Sequence, residues 1–337
     1  MTRLRFTLAV AVTLLAAACS ERTAPPSAPQ LHGLSASEGQ GDQQEALDHA
    51  IIHRTVEAAA NARGEAHRSG GSVELAYGGG AGGIGVQTAP RIILVLWGSQ
   101  WNGNDPSGEA AILQSFYGGV GGSSWLNSVT QYCQGVPAGT VFCNGAGTPA
   151  GNQSGLLAAV WSDNAAAAPS RPRQSDLAAE ALRAAQHFGN LTAASNANVQ
   201  YVIATATGNG SSGFKTQYCA YHSSTSAAGL GNVAYTNMPY ITDAGASCGA
   251  NFNGLGPKAG ITIVSGHEAA ESISDPFPNT GWLDRNGAEN GDKCAWIPTG
   301  STGAAQDIVL GTGTFAVQSL WSNAAAGNTG GCVVSYP

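Results

Sequence analysis

The chain has 337 residues, of which 43% are hydrophobic and 10% are charged, and its formal net charge is −7. The hydrophobic content excludes an intrinsically disordered chain, while the charged fraction lies well below the roughly 25% of an average soluble domain. The acidic balance and the absence of a basic run exclude a protein that binds nucleic-acid backbones.

Residues 1–19 are predicted to be an export signal. Arg3 and Arg5 precede a short apolar stretch that runs from Phe6 to Leu15, and three alanines then lead to Cys19. This order is typical of a signal peptide, and the cysteine also fits a lipoprotein signal. We therefore expect a secreted, extracellular protein or an outer-surface lipoprotein. A lipid on Cys19 is the only membrane attachment expected, because no later apolar stretch is long enough to span a bilayer.

Residues 20–85 are predicted to be a tether or a propeptide-like segment. Residues 20–40 are rich in Pro, Ser and Ala, and residues 42–68 place Leu47, Ile51 and Val56 near one helical stripe. One interpretation is a solvated helix or stalk, and the other is a propeptide that covers the functional site until it is removed. The histidines of this region are expected to be solvated, and they are His32, His49, His53 and His67.

Residues 86–337 are predicted to form a single core domain. Helices alternate with strands early in this region, and strands dominate late, which favours an α/β fold in which helices flank a mixed β-sheet, with α+β as the alternative. Apolar runs and helix boundaries place strands at 91–97, 199–206, 233–236, 315–320 and 332–336, and helices at 107–117, 175–187 and 260–274.

Six cysteines remain when Cys19 is set aside, and none forms a C-x-x-C motif. An even number of cysteines in an exported chain is typical of disulfides. Six cysteines allow fifteen pairings, and we favour the local one. It joins Cys133 to Cys143, Cys219 to Cys248, and Cys294 to Cys332.

Carboxylates are concentrated in one window of the core. Residues 86–337 contain thirteen acidic residues, and six of them lie between 268 and 292. Closely spaced carboxylates repel one another unless a cation or a proton relieves them, so a bound metal is favoured over a solvated acidic loop. The six are Glu268, Glu271, Asp275, Asp284, Glu289 and Asp292.

The sequence His267-Glu268-Ala269-Ala270-Glu271 predicts a zincin-like active-site helix. His267 and Glu271 are four residues apart and share one helix face. In H-E-x-x-H helices two such residues bind zinc and the intervening Glu is the general base, so Glu268 is the candidate base here and Glu271 takes the place of the second His. Glu289, placed as in gluzincin peptidases, is one candidate third ligand, and Asp292 is expected to orient His267.

His222 is the competing candidate. It follows a predicted strand beside a predicted disulfide, a rigid position that suits a metal ligand or an oxyanion stabiliser, although a hydrogen-bonded structural His is an equal alternative. Zinc is the expected metal, and manganese is an open alternative because the ligand set is rich in oxygen. Asp284 to Asp292 also looks like a calcium loop that departs from the EF-hand pattern.

Residues 90–337 carry a set of short motifs, which are Trp97-Gly98-Ser99-Gln100-Trp101, Cys219-Ala220-Tyr221-His222, Gly266-His267-Glu268, Asp275-Pro276, Gly281-Trp282, Asp292-Lys293-Cys294, Phe315-Ala316-Val317-Gln318, Trp321-Ser322 and Cys332. Together these motifs resemble secreted bacterial relatives of the plant EXORDIUM, or phosphate-induced, protein family. The resemblance implies an extracellular protein, since the plant proteins are apoplastic and linked to cell expansion without a settled activity.

Two functions are consistent with these patterns. The first is an exported metal-dependent hydrolase, a zinc metallopeptidase that acts on a peptide or protein substrate with Glu268 as general base. The second is a non-catalytic extracellular or cell-wall-associated protein that binds a glycan or a protein. In the second case the carboxylates hold structural calcium, and exposed Trp97, Trp101 or Trp125 stacks on sugars. The sequence leaves the oligomeric state open.

Overall fold

The computed structural model of the protein describes residues 50–60 and 74–336. The predicted export signal, Cys19, and His32, His49 and His67 lie outside them. The strands are β1 (Ile51–Arg54), β2 (Ala76–Tyr77), β3 (Arg91–Trp97), β4 (Cys133–Gln134), β5 (Thr148–Pro149), β6 (Leu157–Asp163), β7 (Val199–Thr205), β8 (Tyr218–Ala227), β9 (Gly231–Met238), β10 (Trp282–Leu283), β11 (Gln306–Leu310), β12 (Gly313–Val317), β13 (Leu320–Ser322) and β14 (Gly331–Val333). The helices are Glu109–Val120, Gln174–His187, Ala193–Asn196, Ala259–Ser274 and Ala325–Asn328, with short 3-10 helices between them.

A six-stranded mixed sheet forms the centre of the fold, with the strand order β1-β8-β9-β7-β3-β6. Four adjacent strands run parallel to one another: β6, β3, β7 and β9. Strand β8 runs antiparallel to β9, and β1 runs antiparallel to β8. After its exposed first residue, Arg91, strand β3 is apolar and buried, as expected for a parallel strand covered on both faces. The predicted mixed sheet is therefore confirmed.

Helices cover both faces of this sheet. Successive side chains of a strand point to opposite faces, and two neighbours on β8 show which helix lies on each side. His222 contacts Glu268 of the helix Ala259–Ser274, whereas the next residue, Ser223, receives a hydrogen bond from Gln174 of the helix Gln174–His187 at 3.3 Å. The helix Ala259–Ser274, called the central helix below, thus packs on the face to which His222 points.

The central helix is buried along all 16 of its residues, so it cannot be amphipathic in the usual way. It packs against β8, β9, β12, β1 and the helix Glu109–Val120. Small residues permit this close approach. At Gly260 an added Cβ would lie 1.8 Å from the carbonyl oxygen of Cys248, and at Gly266 it would lie 3.0 Å from the Trp125 ring.

All three predicted disulfides are present: Cys133–Cys143, Cys219–Cys248 and Cys294–Cys332. The second one ties β8 to the 3-10 helix Ile241–Cys248, which precedes the central helix. Three disulfides suit an oxidising compartment. Within residues 50–60 and 74–336, no helix has the length and apolar character needed to cross a membrane.

The structure corrects the sequence prediction at three strands. Residues 51–54 form β1 where a helix was expected, because Ile51 and His53 alternate inward and their backbone pairs with β8. Strand β6 was not predicted, because its half-buried and exposed residues alternate without forming a continuous apolar run. His222 lies within β8 and not after a strand, because polar residues extend that strand beyond its apolar beginning.

We predict that Gly260→Ala lowers the free energy of unfolding by about 1–3 kcal/mol, because the new methyl group must displace the backbone at Cys248. Gly118 is the matched control, since it is also helical and has no atom within 4 Å of an added Cβ. Gly118→Ala should stabilise the protein by about 0.5–1 kcal/mol. Denaturant titration measures both changes, and equal effects of the two substitutions would contradict the packing described for the central helix.

Candidate metal centre

Three of the predicted site residues lie together on the central helix. His267 and Glu271 share one helix face, with 3.0 Å between His267 Nε2 and Glu271 Oε2. Glu268 is the neighbour of His267 and lies on the side nearer to β8, since its Oε2 contacts His222. All three side chains are fully buried. The helix therefore places one imidazole and two carboxylates inside the protein.

The loop after β10 adds two further carboxylates, Glu289 and Asp292. Asp292 donates its backbone N–H to Glu271 Oε1 at 2.9 Å, and its Oδ1 lies 3.8 Å from His267 Nε2. The preceding residue must be glycine, because a Cβ on Gly291 would lie 2.7 Å from His267 Nδ1. Glu289 is fully buried, whereas the Asp292 side chain is 21% exposed, so Asp292 lies at the edge of the cluster nearest to solvent.

His222 joins the two groups of carboxylates from the sheet side. Its Nδ1 lies 3.2 Å from Glu268 Oε2 and 3.7 Å from Glu271 Oε2, and its Nε2 lies 3.3 Å from Glu289 Oε2. The ring is fully buried. Both nitrogens thus face carboxylates, and the structure brings His222, Glu268, Glu271 and Glu289 into one buried cluster with His267 and Asp292.

Gln318, just after β12, orients His267. Its amide nitrogen donates to the carbonyl of Gly291 at 2.7 Å, so its Oε1 faces the ring and accepts from His267 Nδ1 at 3.1 Å. With Nδ1 carrying the proton, His267 Nε2 presents its lone pair to Glu271 and Asp292. We expected Asp292 to orient His267, but Asp292 lies on the Nε2 side. Gln318 ends the motif Phe315-Ala316-Val317-Gln318, but nothing in the sequence indicates its contact with His267.

His53 is the second residue that the sequence analysis missed. It was expected to be solvated, yet it is fully buried on β1. Its ring stacks on His267 with 3.8 Å between centroids and 4° between planes, and it lies 4.9 Å from the ring of Trp296. Neither of its nitrogens has a hydrogen-bond partner. The alternation of Ile51, His53 and Thr55 is the signal that indicates an inward-facing strand.

Several other polar atoms of the cluster are buried without a hydrogen bond. They are His222 Nε2, His267 Nε2, Glu268 Oε1, Glu271 Oε2 and both carboxylate oxygens of Glu289. A buried polar atom that nothing relieves costs about 1–3 kcal/mol, and native proteins contain few of them. His267 Nε2 and Glu271 Oε2 face each other at 3.0 Å, where a shared proton or a cation relieves both. Their convergence at one point is therefore typical of a site whose partner is a cation.

The spacing of the ligand atoms fits a metal. Two ligands of a tetrahedral zinc ion, each bound at 2.0–2.1 Å, lie roughly 3.3 Å apart. The distances from His267 Nε2 to Glu271 and Asp292 are 3.0 and 3.8 Å. Among the residues that the structure describes, three sets have ligand atoms within 4.8 Å of one another: His267 with Glu271 and Asp292, His222 with Glu268 and Glu271, and His53 with His267 and Glu268.

Electrostatics favour positive charge in this cluster. Burial, with the charges of Glu271 and Asp275, raises the pKa of Glu289 well above its usual range. Burial lowers the pKa of His267, but Glu271, Glu268 and Asp292 together outweigh burial and raise that pKa to about 9. Burial raises the pKa of Glu271, but the charges of His267 and His222 and the N–H of Asp292 together outweigh burial and lower it. Lys293, the nearby cation, pairs with Asp284 at 3.1 Å.

Asp275 and Asp284 are engaged by donors of the protein itself. Asp275 accepts hydrogen bonds from the backbone N–H groups of residues 279–281 at 2.7 to 3.2 Å. Asp284 accepts from backbone N–H groups within residues 286–288 and from Lys293 Nζ. Neither belongs to the three sets of convergent ligand atoms found in the described ranges. Their roles as metal ligands, and calcium at Asp284, stay predictions.

The prediction that a tryptophan stacks on sugars at the surface is wrong. Trp97, Trp101 and Trp125 are 3%, 8% and 1% exposed. Trp101 donates to the carbonyl of Ala204, and Trp125 donates to that of Gln318. These rings are therefore part of the core, where their area stabilises the fold.

Comparisons with protein-family models, with curated proteins and with solved structures find no match. The resemblance to the EXORDIUM family therefore stays a prediction. The functional argument rests on the geometry of the buried cluster.

We predict that Gln318→Ala weakens zinc binding by about 10- to 100-fold, because His267 loses the acceptor that fixes its tautomer and ring orientation. Competition with a chromophoric chelator measures the zinc dissociation constant. Gln153→Ala is the matched control, since the Gln153 amide donates to the carbonyl of Pro90 and to no group of the cluster. Equal zinc affinity of the two variants would show that Gln318 does not orient a ligand.

Proposed function

We propose that the protein is an exported metal-dependent hydrolase, most specifically a zinc metallopeptidase that cleaves peptides. The observation that carries this proposal is the convergence of buried, unpaired nitrogen and oxygen atoms around His267 and Glu271. The H-E-x-x-E spacing on the central helix and the three disulfides of an oxidising compartment support it. The resemblance to secreted bacterial proteins agrees with export.

His267, Glu271 and Asp292 are the proposed ligands. Their ligand atoms form one set within 4.8 Å, and Gln318 leaves His267 Nε2 free to bind. Zinc bound to three protein ligands supplies Lewis acidity and lowers the pKa of water at its open position. Because two of the three ligands are carboxylates, manganese would also suit this donor set.

Glu268 is the proposed general base. Its Oε2 accepts a hydrogen bond from His222 Nδ1, which fixes the carboxylate, and its Oε1 is left without a partner. Burial raises the pKa of Glu268, which brings a carboxylate closer to the range in which it can accept a proton from water and return it to a leaving group. Glu268 Oε1 is therefore the atom that would hold the transferred proton.

His222 and Glu289 are proposed as positioning residues. With His222 Nδ1 directed at Glu268, its Nε2 faces Glu289 Oε2 at 3.3 Å. The raised pKa of Glu289 favours a protonated carboxyl there, which can donate to His222 Nε2 and so keep the Nδ1 proton toward Glu268. In this arrangement His222 and Glu289 support the general base, and neither of them is the third metal ligand.

The alternative function is a non-catalytic extracellular protein in which the same carboxylates hold a structural ion such as calcium. The buried tryptophans leave glycan stacking without support. The ion itself would still satisfy the cluster, so metal content alone does not separate the two functions. Peptide turnover by Glu268 variants does separate the two functions, because a structural ion has no need of a general base.

We predict that the purified protein holds about one zinc per chain and that His267→Ala loses it, because three ligands define one zinc position. His187→Ala is the matched control, since His187 is exposed and stacks on Trp161. Elemental mass spectrometry after dialysis measures both. If the His267→Ala protein keeps its zinc, or if calcium alone is found, the proposed zinc centre is wrong.

We predict that Glu268→Gln lowers peptide turnover by about 10²- to 10⁴-fold without changing the metal content. Because the cluster is buried, turnover is measured both on the intact chain and on a chain cut at a specific protease site inserted within residues 61–73. Asp307→Asn, on exposed β11, is the control for loss of one negative charge. Metal binding without hydrolysis in either form, or unchanged turnover in the Glu268→Gln protein, would favour the non-catalytic alternative.

A further inference from the structure

Strand β1 covers the cluster from the edge of the sheet. Among the strands that the structure describes, it pairs only with β8, in a register that places Ile51 opposite His222 and His53 opposite Ala220. Ile51 and His53 are buried, whereas Arg54 is exposed. The inward side chain of His53 reaches the ring of His267. A four-residue strand thus separates the proposed metal centre from the space beyond the sheet edge.

The contacts of β1 include backbone hydrogen bonds, one flat stacking contact and the packing of Ile52 against the core. The carbonyl of Arg54 accepts a hydrogen bond from Trp296 Nε1 at 2.8 Å, and the N–H of Thr55 donates to the carbonyl of Gln217 at 3.1 Å. The His53 ring lies nearly parallel to His267 and within 23° of Trp296. Backbone pairing at a sheet edge, with one side chain entering a slot, is how proteins bind extended peptides.

Trp296 contacts β1 from an unusual backbone conformation, and its ring also packs edge-on against Phe252. Its φ is +52°, in the left-handed region that a bulky residue rarely adopts. Such backbone strain is concentrated at binding and active sites. It places the Trp296 ring beside His53 and its N–H on the β1 backbone, so the slot is built from the core side and does not depend on β1 alone.

His53 is poorly suited to be a permanent core residue. It is fully buried, and neither ring nitrogen has a hydrogen-bond partner, a loss that an apolar residue would avoid. One of its nitrogens lies within 4.8 Å of ligand atoms of His267 and Glu268. The ring therefore lies beside the proposed base and a proposed ligand of the metal.

We propose that residues 51–54 occupy the substrate position, and that the site takes an extended peptide that pairs antiparallel with β8. Such a peptide would place a flat side chain, an imidazole or an aromatic ring, in the slot beside His267 and Trp296. The described form is then a self-blocked precursor. This inference rests on the proposed hydrolase function and names its substrate class.

The sheet can release β1 without losing the cluster. Strand β8 stays paired with β9 over the register from Tyr221 to Ala227, and the disulfide Cys219–Cys248 ties it to the segment before the central helix. His222 is thus anchored independently of β1. Departure of residues 51–54 would expose the outer edge of β8 as a row of free backbone donors and acceptors.

The test uses the full chain with a specific protease site inserted within residues 61–73, before and after cutting. A fluorescent peptide of residues 48–60 is titrated, and its anisotropy reports binding without any need for metal or turnover. We expect the peptide to bind the cut chain at least ten-fold more tightly than the uncut chain. A His53→Ala peptide should bind at least ten-fold more weakly than the unchanged peptide, whereas an Arg54→Ala peptide should bind equally well.

Hydrolysis provides the second readout. Cutting should raise turnover of a peptide library at least ten-fold, with preference for imidazole and aromatic side chains, and the 48–60 peptide should inhibit competitively. Near-ultraviolet circular dichroism checks that the cut chain stays folded. If the cut chain unfolds, the uncut His53→Ala and Arg54→Ala chains are titrated with the labelled peptide instead. Only the His53→Ala chain is expected to bind that peptide.

The outcomes separate this inference from the proposed function. No binding of the 48–60 peptide, or equal binding of the His53→Ala peptide, overturns the inference even if metal and turnover are present. Absence of metal with specific peptide binding overturns the hydrolase and leaves a peptide-binding edge at β8. Equal turnover before and after cutting, with metal bound, would support the hydrolase function and contradict the proposal that β1 blocks the site.

Discussion

The burial of negative charge beside the central helix is the constraint on which the rest of the structure depends. A chain with few charged residues places four carboxylates around two imidazoles, and three of those carboxylates are fully buried. Buried carboxylates are costly unless a cation, a proton or a donor relieves them. The N–H of Asp292 donates to Glu271 and His222 donates to Glu268, but these donors leave several atoms unpaired.

The fold around the cluster serves to hold these groups rigidly. The central helix is enclosed on all sides, which is possible because Gly260 and Gly266 permit close contact. Gly291 brings the loop against the His267 ring, and the disulfides Cys219–Cys248 and Cys294–Cys332 fasten the sheet side and the loop side of the site. Orientation by neighbours of this kind is what a catalytic metal centre requires.

The sequence indicated the features that depend on local pattern. The apolar run of β3, the helix bearing His267 and the local disulfides follow from periodicity and spacing, and the structure has all of them. The sequence did not indicate the contacts that depend on pairing between distant segments. His53 reaches the cluster because β1 adds to β8, and Gln318 matters because its amide meets a ring far away in the chain. The alternation of Ile51, His53 and Thr55 indicates an inward-facing strand but not its partner, and the contact of Gln318 leaves no periodic trace at all.

The pairing of Ile51 with His222 also has a consequence for the order of folding. The hairpin of β8 and β9 and the helix that follows are local structures, which form early, whereas β1 must wait for a partner synthesised much later. The cluster is thus assembled while its outer side is still open. If the site binds a cation, one that enters during this interval would be covered from the sheet edge when β1 docks, and its later exchange would pass Asp292, at the edge of the cluster nearest to solvent.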